Sequence, residues 1–598
     1  MTVTNYLDSI DGPADLKKLN RAQLPELADE IRQAVLTKVT AIGGHFGPNL
    51  GVVEATIALH YVFDSPKDKI VWDVSHQSYP HKILTGRKQA FLDPAHYHDV
   101  TGYTHPSESE HDHFIVGHTG TSISMAVGLA KGRDLNGRNE NIIAFIGDGS
   151  LSEGEALEGL DNAGEMDTNL IIVLNDNEWS IAENHGGIYD NLAELRATNG
   201  ASERNMFRDF GLDYRYVADG NDTAALIDAF ESVKDSDHPV VVHIHTDKGR
   251  GSAWAEENKE AGHWRLPEAV MKQMEETGPV EDVDSVTVNF LERKMKADPT
   301  VVSITAATAG SGFPRDFRER VGRQFVDVGI AEQHAIAFAS GIGKAGGKPV
   351  VEMYSTFMQR AYDQLQQDLA LQGNPATLIM MSMGSIAPTD NTHSGMYGLA
   401  MANTIPGLTC LAPATHEEYL AMLDWSIDRA NRPVLIAQPG SLYSEADLAA
   451  ALDGPVAEAG TDSFDEKDLS YRTITRGSKV AILALGDFLQ LGVRVRAELK
   501  DKLDVDATLI DPRVFSAVDA NALDALRDEH MVVVTLEDGM LTGGFGREVA
   551  AHFAADKTMT VLNYGADKEF NDCVPTDELF RRYHLEPETI AEEVRLVL

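Results

Sequence analysis

Cysteine is nearly absent from this chain, since Cys410 and Cys573 are the only two among its 598 residues. Because they stand far apart in the sequence, they cannot form a disulfide framework, and two cysteines are too few for a cysteine-based zinc site. Such scarcity is typical of proteins that work in a reducing compartment. We therefore expect a cytoplasmic protein.

Basic residues are also scarce. The chain has 51 lysines and arginines against 93 aspartates and glutamates, which gives a formal net charge of −42 at pH 7. Repulsion between this charge and phosphate groups argues against nucleic acids and anionic membranes as partners. A small anionic substrate is compatible with such a chain only if a local pocket supplies positive charge.

Long apolar runs and low-complexity tracts are missing as well. No window of 18 residues is wholly apolar, and the first residues lack a basic start followed by an apolar core. We therefore expect neither a membrane-spanning helix nor a signal peptide. Hydrophobic residues still make up 43% of the chain, which is enough for several buried cores in about three or four domains.

Two apolar strands that end in polar residues form the most informative stretch. The first ends in Gly147-Asp148-Gly149, a helical segment follows from about Ser152 to Met166, and the second ends in Asn175-Asp176-Asn177. Ligands bind beyond the carboxyl ends of parallel strands, so we expect Asp148 and Asn177 to share one site. A carboxylate and an amide oxygen suit Mg²⁺, while the glycines and the helix N-terminus suit a diphosphate.

A Gly-Asp-Gly string also occurs in ordinary turns, but the wider sequence is more specific. Together with Asn175-Asp176-Asn177 it resembles the thiamine diphosphate signature. The strings Gly154-Glu155-Ala156-Leu157-Glu158-Gly159-Leu160 and Ser180-Ile181-Ala182-Glu183-Asn184 resemble 1-deoxy-D-xylulose-5-phosphate synthase, a relative of transketolase. This resemblance implies thiamine diphosphate and Mg²⁺ as cofactors, with Asp148, Asn177 and a backbone carbonyl near Trp179 around the metal.

Further buried strands alternate with helices along the rest of the chain. Together with the resemblance, they predict an α/β protein with three doubly wound, mostly parallel sheets in a transketolase-like arrangement. The predicted domains are a diphosphate-binding domain at 1–275, a pyrimidine-binding domain at 301–455 and a C-terminal domain at 478–598, with linkers at 276–300 and 456–477.

Two loops of the first predicted domain carry histidines, Gly43-Gly44-His45-Phe46 and Ser75-His76-Gln77-Ser78. A lone histidine after a strand is usually structural, but both loops match the family. The resemblance implies that His45 and His76 line the cofactor and substrate pocket, and it places another catalytic histidine at His263. It also implies cofactor contacts from eight residues of this domain, namely His76, Gly117, His118, Thr119, Gly149, Ser150, Asn177 and Ile181.

In the second predicted domain, the string Gly329-Ile330-Ala331-Glu332 places a carboxylate where a strand meets a helix. Glu332 could simply complement the helix dipole. The resemblance implies instead that it faces N1′ of the aminopyrimidine and promotes the tautomer that takes the C2 proton of the thiazolium. It also implies that Phe357 stacks on the pyrimidine, with a core phenylalanine as the alternative.

The resemblance fails where the family binds the phosphate of glyceraldehyde 3-phosphate with arginines. The corresponding strings are Met381-Ser382-Met383-Gly384, Met401-Ala402-Asn403 and Gln438-Pro439-Gly440, and no lysine or arginine occurs between residues 361 and 428. Each lost charged hydrogen bond is worth roughly 1.5–3 kcal/mol, which disfavours a phosphorylated acceptor. His393 is retained, and we expect it to hydrogen-bond a hydroxyl or carbonyl of the substrate.

These features predict a thiamine diphosphate-dependent transferase. It would decarboxylate a 2-keto acid such as pyruvate and add the two-carbon unit to an aldehyde other than glyceraldehyde 3-phosphate. The candidate catalytic residues are Glu332, His45, His76, His263 and His393. Two alternatives remain open, namely ketol transfer from a ketose donor, as in transketolase, and cofactor binding without catalysis. Because the family forms dimers, we expect a homodimer.

Overall fold

The computed structural model describes residues 5–278, 281–384, 389–452, 456–458, 460 and 463–598, with the backbone alone at 310 and 311. Contacts between residues divide the chain into two compact units. The first comprises Met1–Val280, Ala307–Gly310 and Val328–Ala331, and the second comprises Glu281–Ala306, Ser311–Asp327 and Glu332–Leu598.

The first unit is built around a five-stranded parallel sheet, which we call the first sheet. Alternate residues of its strands enter different cores: Ile143 and Phe145 belong to one, and Ile142 and Ala144 belong to the other. Because successive side chains of a strand point to opposite faces, both faces of this sheet are covered. In sheet order the strands are Lys69–Trp72, Ile142–Gly147, Ile171–Asp176, Val240–His245 and Asp213–Val217.

Helices of the first unit connect these strands and supply the covering layers. The α-helices of six or more residues are Leu24–Ile42, Val53–Val62, Ser122–Leu135, Gly154–Gly164, Ile188–Ala197, Thr223–Val233 and Glu268–Thr277. A separate two-stranded antiparallel pair joins Gly44–His45 to Trp264–Arg265. That pair places residues 44 and 45 next to the segment that follows the strand Val240–His245 in the chain.

The second unit contains two further sheets. The second sheet has six parallel strands, in the order Thr409–Leu411, Pro433–Ala437, Ala376–Met381, Lys348–Tyr354, Val301–Thr305 and Phe325–Asp327. The third sheet has five strands, in the order Arg472–Thr475, Thr508–Asp511, Lys479–Ala484, His530–Met540 and Thr560–Ala566, of which the first is antiparallel to its neighbour.

Helices also surround both sheets of the second unit. The α-helices of six or more residues are Val283–Ala297, Arg315–Val321, Glu332–Lys344, Gly398–Asn403, His416–Asp428, Glu445–Ala451, Leu489–Leu503, Ala520–Ala525, Phe545–Phe553, Thr576–Arg582 and Pro587–Val597. The predicted α/β class with three mostly parallel sheets is thus confirmed. In the part of the chain that the structure describes, no helix has the length and apolarity needed to span a membrane.

The predicted domain boundaries stay predictions, and both predicted linkers contain regular structure. The linker at 276–300 includes the helix Val283–Ala297, whose Phe290 and Leu291 are buried in a core of the second unit. The linker at 456–477 includes the edge strand Arg472–Thr475 of the third sheet. Acidic composition identifies a solvated surface, but it does not show whether the opposite side of a segment packs on a core.

Candidate functional site

Asp148 lies at the carboxyl end of the first sheet, directly after the strand Ile142–Gly147. The neighbouring strand Ile171–Asp176 pairs with it in parallel, so the two polar turns leave the sheet side by side. Asp148 is 1% exposed, and its Oδ2 accepts a hydrogen bond of 2.6 Å from the side-chain amide of Asn184. The structure therefore brings the Gly-Asp-Gly turn next to the Asn-Asp-Asn turn.

The surroundings of Asp148 fit a bound cation. Burial, together with the nearby carboxylate of Asp176, raises the pKa of the Asp148 carboxyl to about 8. A metal ion beside such a group favours its ionised form. Carboxylate and amide oxygens are ligands that Mg²⁺ accepts, and Asp148 and Asn177 offer one of each. These residues thus fit the metal that the resemblance implies.

The other predicted contacts of this region lie in the same two turns. The Trp179 N–H donates to Oδ1 of Asn177 over 3.2 Å, which orients the amide while its oxygen keeps a second lone pair. Gly149 packs tightly, since a Cβ there would lie 3.0 Å from the Cβ of Ser180. Ser150 begins the short 3₁₀ turn Ser150–Ser152 and is 7% exposed.

Lys248 is a buried cation beside the second turn. It is 2% exposed, and its Nζ donates to the carbonyl of Ser180 and, over 3.5 Å, to the carbonyl of Ile181. Burial lowers the pKa of Lys248 to about 7. Reasoning from sequence gave this lysine no role, although its place just after the strand Val240–His245 could have suggested one.

At the start of the helix Ser122–Leu135, two backbone N–H groups already donate hydrogen bonds within the protein. The N–H groups of Gly120 and Ser122 donate to the carboxylate of Asp73 over 2.9 and 3.0 Å, and Asp73 is fully buried. Two backbone N–H groups at this helix start are therefore used by the protein's own carboxylate. The three predicted contacts that precede this helix, Gly117, His118 and Thr119, stay predictions.

His45, His76 and His263 come together in the first unit. Their ring centroids are 4.9 Å apart for His45 and His76, 5.6 Å for His45 and His263, and 5.4 Å for His76 and His263. His45 belongs to the antiparallel pair and lies opposite Trp264, which explains how it meets His263 from a distant part of the sequence. Nδ1 of His263 is buried and has no hydrogen-bond partner among the described residues.

A strained turn places His76. Val74 and Ser75, which precede it, have φ values of 54° and 61°. Left-handed backbone costs a non-glycine residue about 1–3 kcal/mol, and it persists where the surrounding structure imposes it. Ser75 is held on both sides, since its Oγ donates to the carbonyl of Val116 over 2.5 Å and accepts the N–H of Thr104 over 2.8 Å.

Asn49 links the two histidine loops. It is fully buried, and its side-chain N–H groups donate to the carbonyl of His45 over 3.0 Å and to that of His76 over 2.7 Å. Its Oδ1 accepts the N–H of Tyr79 over 2.9 Å. Sequence reasoning did not assign a role to Asn49, although it lies in the same family-like loop as His45. We regard it as a positioning residue.

The histidine cluster predicts a pH dependence of stability. Burial, together with the positive charge of Lys248, lowers the pKa of His263 well below 6.5. Below pH 6.5 the unfolded chain then binds a proton that the folded chain does not, so the free energy of unfolding falls as the pH decreases. Between pH 7.5 and 5.5 we expect His263 to contribute about 1.4 kcal/mol to this loss.

Urea unfolding of the cofactor-free protein at pH 7.5 and 5.5 checks this prediction. The unfolding midpoint of His263→Asn should fall less between the two pH values than that of the unsubstituted protein. The exposed His98 provides the control, and His98→Asn should behave like the unsubstituted protein. An equal fall for all three proteins would contradict the assignment.

In the second unit, Glu332 begins the helix Glu332–Lys344 and is 3% exposed. Its Oε2 lies 4.0 Å from Nη1 of Arg360. The Gly-Ile-Ala residues that precede it belong to the first unit, where the Ile330 N–H donates to Oγ of Ser152 over 3.1 Å. A buried carboxylate at a helix start suits proton exchange with a ring nitrogen.

Phe357 and His393 lie together in the second unit. Phe357 is on the short helix Ser355–Met358, directly after a strand of the second sheet, and its ring centroid is 5.6 Å from that of His393. Nδ1 of His393 lies 3.2 Å from both carboxylate oxygens of Asp390. An acidic partner at Nδ1 fixes the orientation of the ring and directs Nε2 to another group.

A cavity of about 570 Å³ opens beside His393. Its lining includes residues 381–384 and 438–440, which are two of the strings in which the resemblance expects arginines. None of its described lining residues is a lysine or arginine. Its lining instead contains four carboxylates, from Asp282, Asp284, Asp487 and Asp538. The residue counts that predicted a missing positive charge did not reveal this negative one.

Three family models match the chain in order. The 1-deoxy-D-xylulose-5-phosphate synthase model matches residues 7–205 and 198–246, the transketolase pyrimidine-binding domain matches 283–445, and the transketolase C-terminal domain matches 470–590. A solved transketolase from Leishmania mexicana covers 96% of this chain and 97% of its own at 16% identity and a TM-score of 0.43. The assignment of the fold rests on the family models.

Several curated relatives match nearly the whole chain. The 1-deoxy-D-xylulose-5-phosphate synthase of Symbiobacterium thermophilum is 38% identical and covers 99% of this chain and 95% of its own. That of Carboxydothermus hydrogenoformans is 34% identical and covers 99% of each. The 1-deoxy-D-xylulose-5-phosphate synthase 1 of Geobacter sulfurreducens is 37% identical and covers 96% and 95%.

Proposed function

Because the chain belongs to the 1-deoxy-D-xylulose-5-phosphate synthase family, we propose that it decarboxylates a 2-keto acid such as pyruvate and transfers the two-carbon unit to an aldehyde other than glyceraldehyde 3-phosphate. The chain is an enzyme of the transketolase-like, thiamine diphosphate-dependent transferases, with Mg²⁺ as the second cofactor. The recognition from sequence of this family, fold and cofactor is confirmed.

The residues of the first unit would hold the charged end of the cofactor. Asp148, Asn177 and the backbone near Trp179 would bind Mg²⁺, and the turn at Gly149 would approach the diphosphate closely because it lacks a side chain. When bound, thiamine diphosphate supplies the carbanion that attacks the keto acid and accepts the electrons left when CO₂ departs. Asp148 would thus balance the positive charge of Mg²⁺, and other residues would transfer protons.

Glu332 and Phe357 would hold the aminopyrimidine. The carboxylate of Glu332 would share a proton with N1′, and the Phe357 ring would support the face of the heterocycle. His45, His76 and His263 would donate hydrogen bonds to the carbonyl oxygen of the keto acid as negative charge develops on it. His393 would contact the hydroxyl or carbonyl of the acceptor.

Replacing His263 should separate binding from catalysis. We expect His263→Asn to lower kcat for CO₂ release about a hundredfold or more, because the imidazole N–H that would donate to the developing negative charge is lost. The affinity for thiamine diphosphate, measured by calorimetry, should change less than about threefold. An equal loss of binding and kcat would show that His263 serves only to form the cofactor pocket.

One observation carries the acceptor part of the proposal, namely that the cavity beside His393 has carboxylates and no described cationic side chain in its lining. A phosphate dianion there would lose charged hydrogen bonds and would face like charge. The test is to measure CO₂ release from pyruvate with glyceraldehyde and with glyceraldehyde 3-phosphate. Efficient turnover of the phosphate ester at low micromolar concentration would overturn this part of the proposal.

A cation introduced into the cavity should restore use of the phosphate. Met383 and Asp538 both line it, so we expect the double variant Met383→Arg/Asp538→Asn to lower KM for glyceraldehyde 3-phosphate about tenfold or more, one charged hydrogen bond being worth roughly 1.5–3 kcal/mol. Leu371, which is 70% exposed, gives the control Leu371→Arg. The prediction is wrong if both variants change KM equally.

The remaining aspects concern the donor and the assembly. A ketose donor would be used without CO₂ release, so the same assay separates ketol transfer from decarboxylation. We propose a homodimer, because the family relationship supports it, and sedimentation of the purified protein tests this. We also propose a cytoplasmic location, which the scarcity of cysteine supports.

A further inference from the structure

The cavity beside His393 has one carboxylate whose hydrogen bonding is incomplete. Asp487 follows the strand Lys479–Ala484, and its Oδ2 accepts the N–H of Gly440 over 2.7 Å. Its Oδ1 is buried and has no hydrogen-bond partner among the described residues. A buried oxygen of this kind is costly unless a donor reaches it. Asp487, which lines the cavity, thus keeps hydrogen-bonding capacity that no described residue uses.

A second carboxylate lies in the same lining, and two glycines give these carboxylates room. A Cβ at Gly384 would lie 2.5 Å from Oδ2 of Asp538, and a Cβ at Gly440 would lie 3.2 Å from Oδ2 of Asp487. A larger residue at Gly384 would displace the Asp538 carboxylate, and a larger residue at Gly440 would crowd the Asp487 carboxylate. The backbone is therefore shaped around negative charge at two separate points of the cavity lining.

Burial also changes the ionisation of carboxyl groups in this lining. Burial, together with the Asp538 carboxylate, raises the pKa of Asp487 to about 6. Burial likewise raises the pKa of Asp284, whose Oδ1 accepts the side-chain N–H of Gln438 over 2.9 Å. A cationic ligand would reverse both shifts, because it favours the ionised form of each neighbouring carboxyl.

The carboxylates of this lining do not form one cluster, since no group of three or more histidine, cysteine, aspartate or glutamate side chains among the described residues could hold a metal ion. An organic ammonium needs fewer ligands, because three N–H donors can reach carboxylates separately. The cavity of about 570 Å³ is also of the size that small organic ligands occupy.

We propose that the acceptor of this enzyme is an aldehyde that carries an ammonium group, which Asp487 and Asp538 bind. His393 lines the same cavity and contacts Phe357, so the aldehyde end would lie on the side where the aminopyrimidine is expected. This inference rests on the proposed function, because it names the substrate class of the acceptor site.

The reaction balances without a further reactant. The bond between the carboxylate carbon and C2 of pyruvate breaks and releases CO₂. A new carbon–carbon bond forms between C2 and the aldehyde carbon, and the aldehyde oxygen takes up one proton. Pyruvate, the ammonium aldehyde and one proton thus give CO₂ and an ammonium-bearing α-hydroxy methyl ketone, and no oxidant or reductant is needed.

The test compares three acceptors that differ at one carbon: glyceraldehyde, its 3-amino-3-deoxy analogue and its 3-phosphate. The holoenzyme is given pyruvate and each acceptor, and CO₂ and product are measured at fixed ionic strength. We expect kcat/KM for the amino analogue to exceed that for glyceraldehyde about tenfold or more, with the 3-phosphate used least. Equal or lower use of the amino analogue would overturn the inference while CO₂ release sustains the proposed function.

Variants locate the effect in the cavity. Asp487→Asn and Asp538→Asn should each lower the ratio of kcat/KM for the amino analogue over glyceraldehyde about tenfold. Asp504→Asn removes the same charge from a side chain that is 92% exposed in the same unit, and it should leave the ratio unchanged. A ratio that falls equally in all three variants would show only the attraction of cations to an acidic protein, and it would overturn the inference.

A binding measurement keeps the inference independent of turnover. Calorimetry with 3-amino-1,2-propanediol, glycerol and glycerol 3-phosphate uses compounds that cannot react. We expect the amine to bind, the other two to bind at least about tenfold more weakly, and Asp487→Asn to abolish the difference. If no acceptor supports CO₂ release, the proposed function is wrong. If the amine does not bind in calorimetry, the inference about the ammonium group is wrong, whatever the turnover measurements show.

Discussion

Replacing Glu332 by glutamine is expected to lower the rate of CO₂ release from pyruvate about a thousandfold, within the range that general acid–base groups contribute. Glutamine keeps the shape of the side chain but cannot share a proton with N1′ of the aminopyrimidine. The buried position of Glu332 at the start of its helix leaves bulk water little opportunity to replace it. The measurement is pyruvate consumption with thiamine diphosphate and Mg²⁺ at saturation.

Glu352 provides a matched control for this substitution. It is a second buried glutamate of the same unit, on the strand Lys348–Tyr354. Burial raises the pKa of Glu352 to about 8, so at pH 7 its carboxyl is mostly uncharged, and glutamine imitates that form. Glu352→Gln should keep most of the activity. Equal rates for Glu332→Gln and the unsubstituted enzyme would rule out the proposed mechanism.

Replacing Asp148 by asparagine is expected to weaken the Mg²⁺-dependent binding of thiamine diphosphate about a hundredfold, which corresponds to about 2.7 kcal/mol. Asparagine keeps one oxygen ligand but removes the negative charge that balances the metal in this buried turn. Calorimetric titration of the cofactor at several Mg²⁺ concentrations measures the effect. The unsubstituted protein should bind more tightly as Mg²⁺ increases, and the variant should respond weakly.

An exposed aspartate separates this local effect from the general charge of the protein. Asp161 lies on the helix Gly154–Gly164, which follows the Gly-Asp-Gly turn, and it is exposed. Asp161→Asn should bind thiamine diphosphate with the same Mg²⁺ dependence as the unsubstituted protein. If Asp148→Asn also retains that dependence, Asp148 is not a metal ligand.

The cofactor chemistry could be predicted from sequence because its motifs are local. A buried strand followed by a turn and a helix fixes the position of the polar residue at the strand exit, so the amino-acid order alone was enough to assign Asp148, Asn177 and Glu332 to such exits. Their neighbours could not be assigned in this way. Asn49 holds His45 and His76 through their carbonyls, and the sequence contains no local signal for such a bond.

The helix start at Ser122 shows a similar limit. The small residues and backbone N–H groups before it suit an anion. The structure places the carboxylate of Asp73 on two of them, because a strand of the first sheet ends beside the helix. A residue almost 50 positions away thus decides which donors are left for a phosphate.

By itself, the sequence determined the fold class, the cofactor and the absence of lysine and arginine from residues 361 to 428, since strand–turn–helix motifs and residue counts need no knowledge of packing. Only the tertiary structure decided which charged side chains line the cavity beside His393. Asp282, Asp487 and Asp538 come from separate elements of the second unit, and they line one cavity with His393 because the strands and helices that carry them pack together. The electrostatic potential at a ligand depends on all charged residues near it in space. Because these residues can be far apart in the sequence, the order of residues does not reveal that potential.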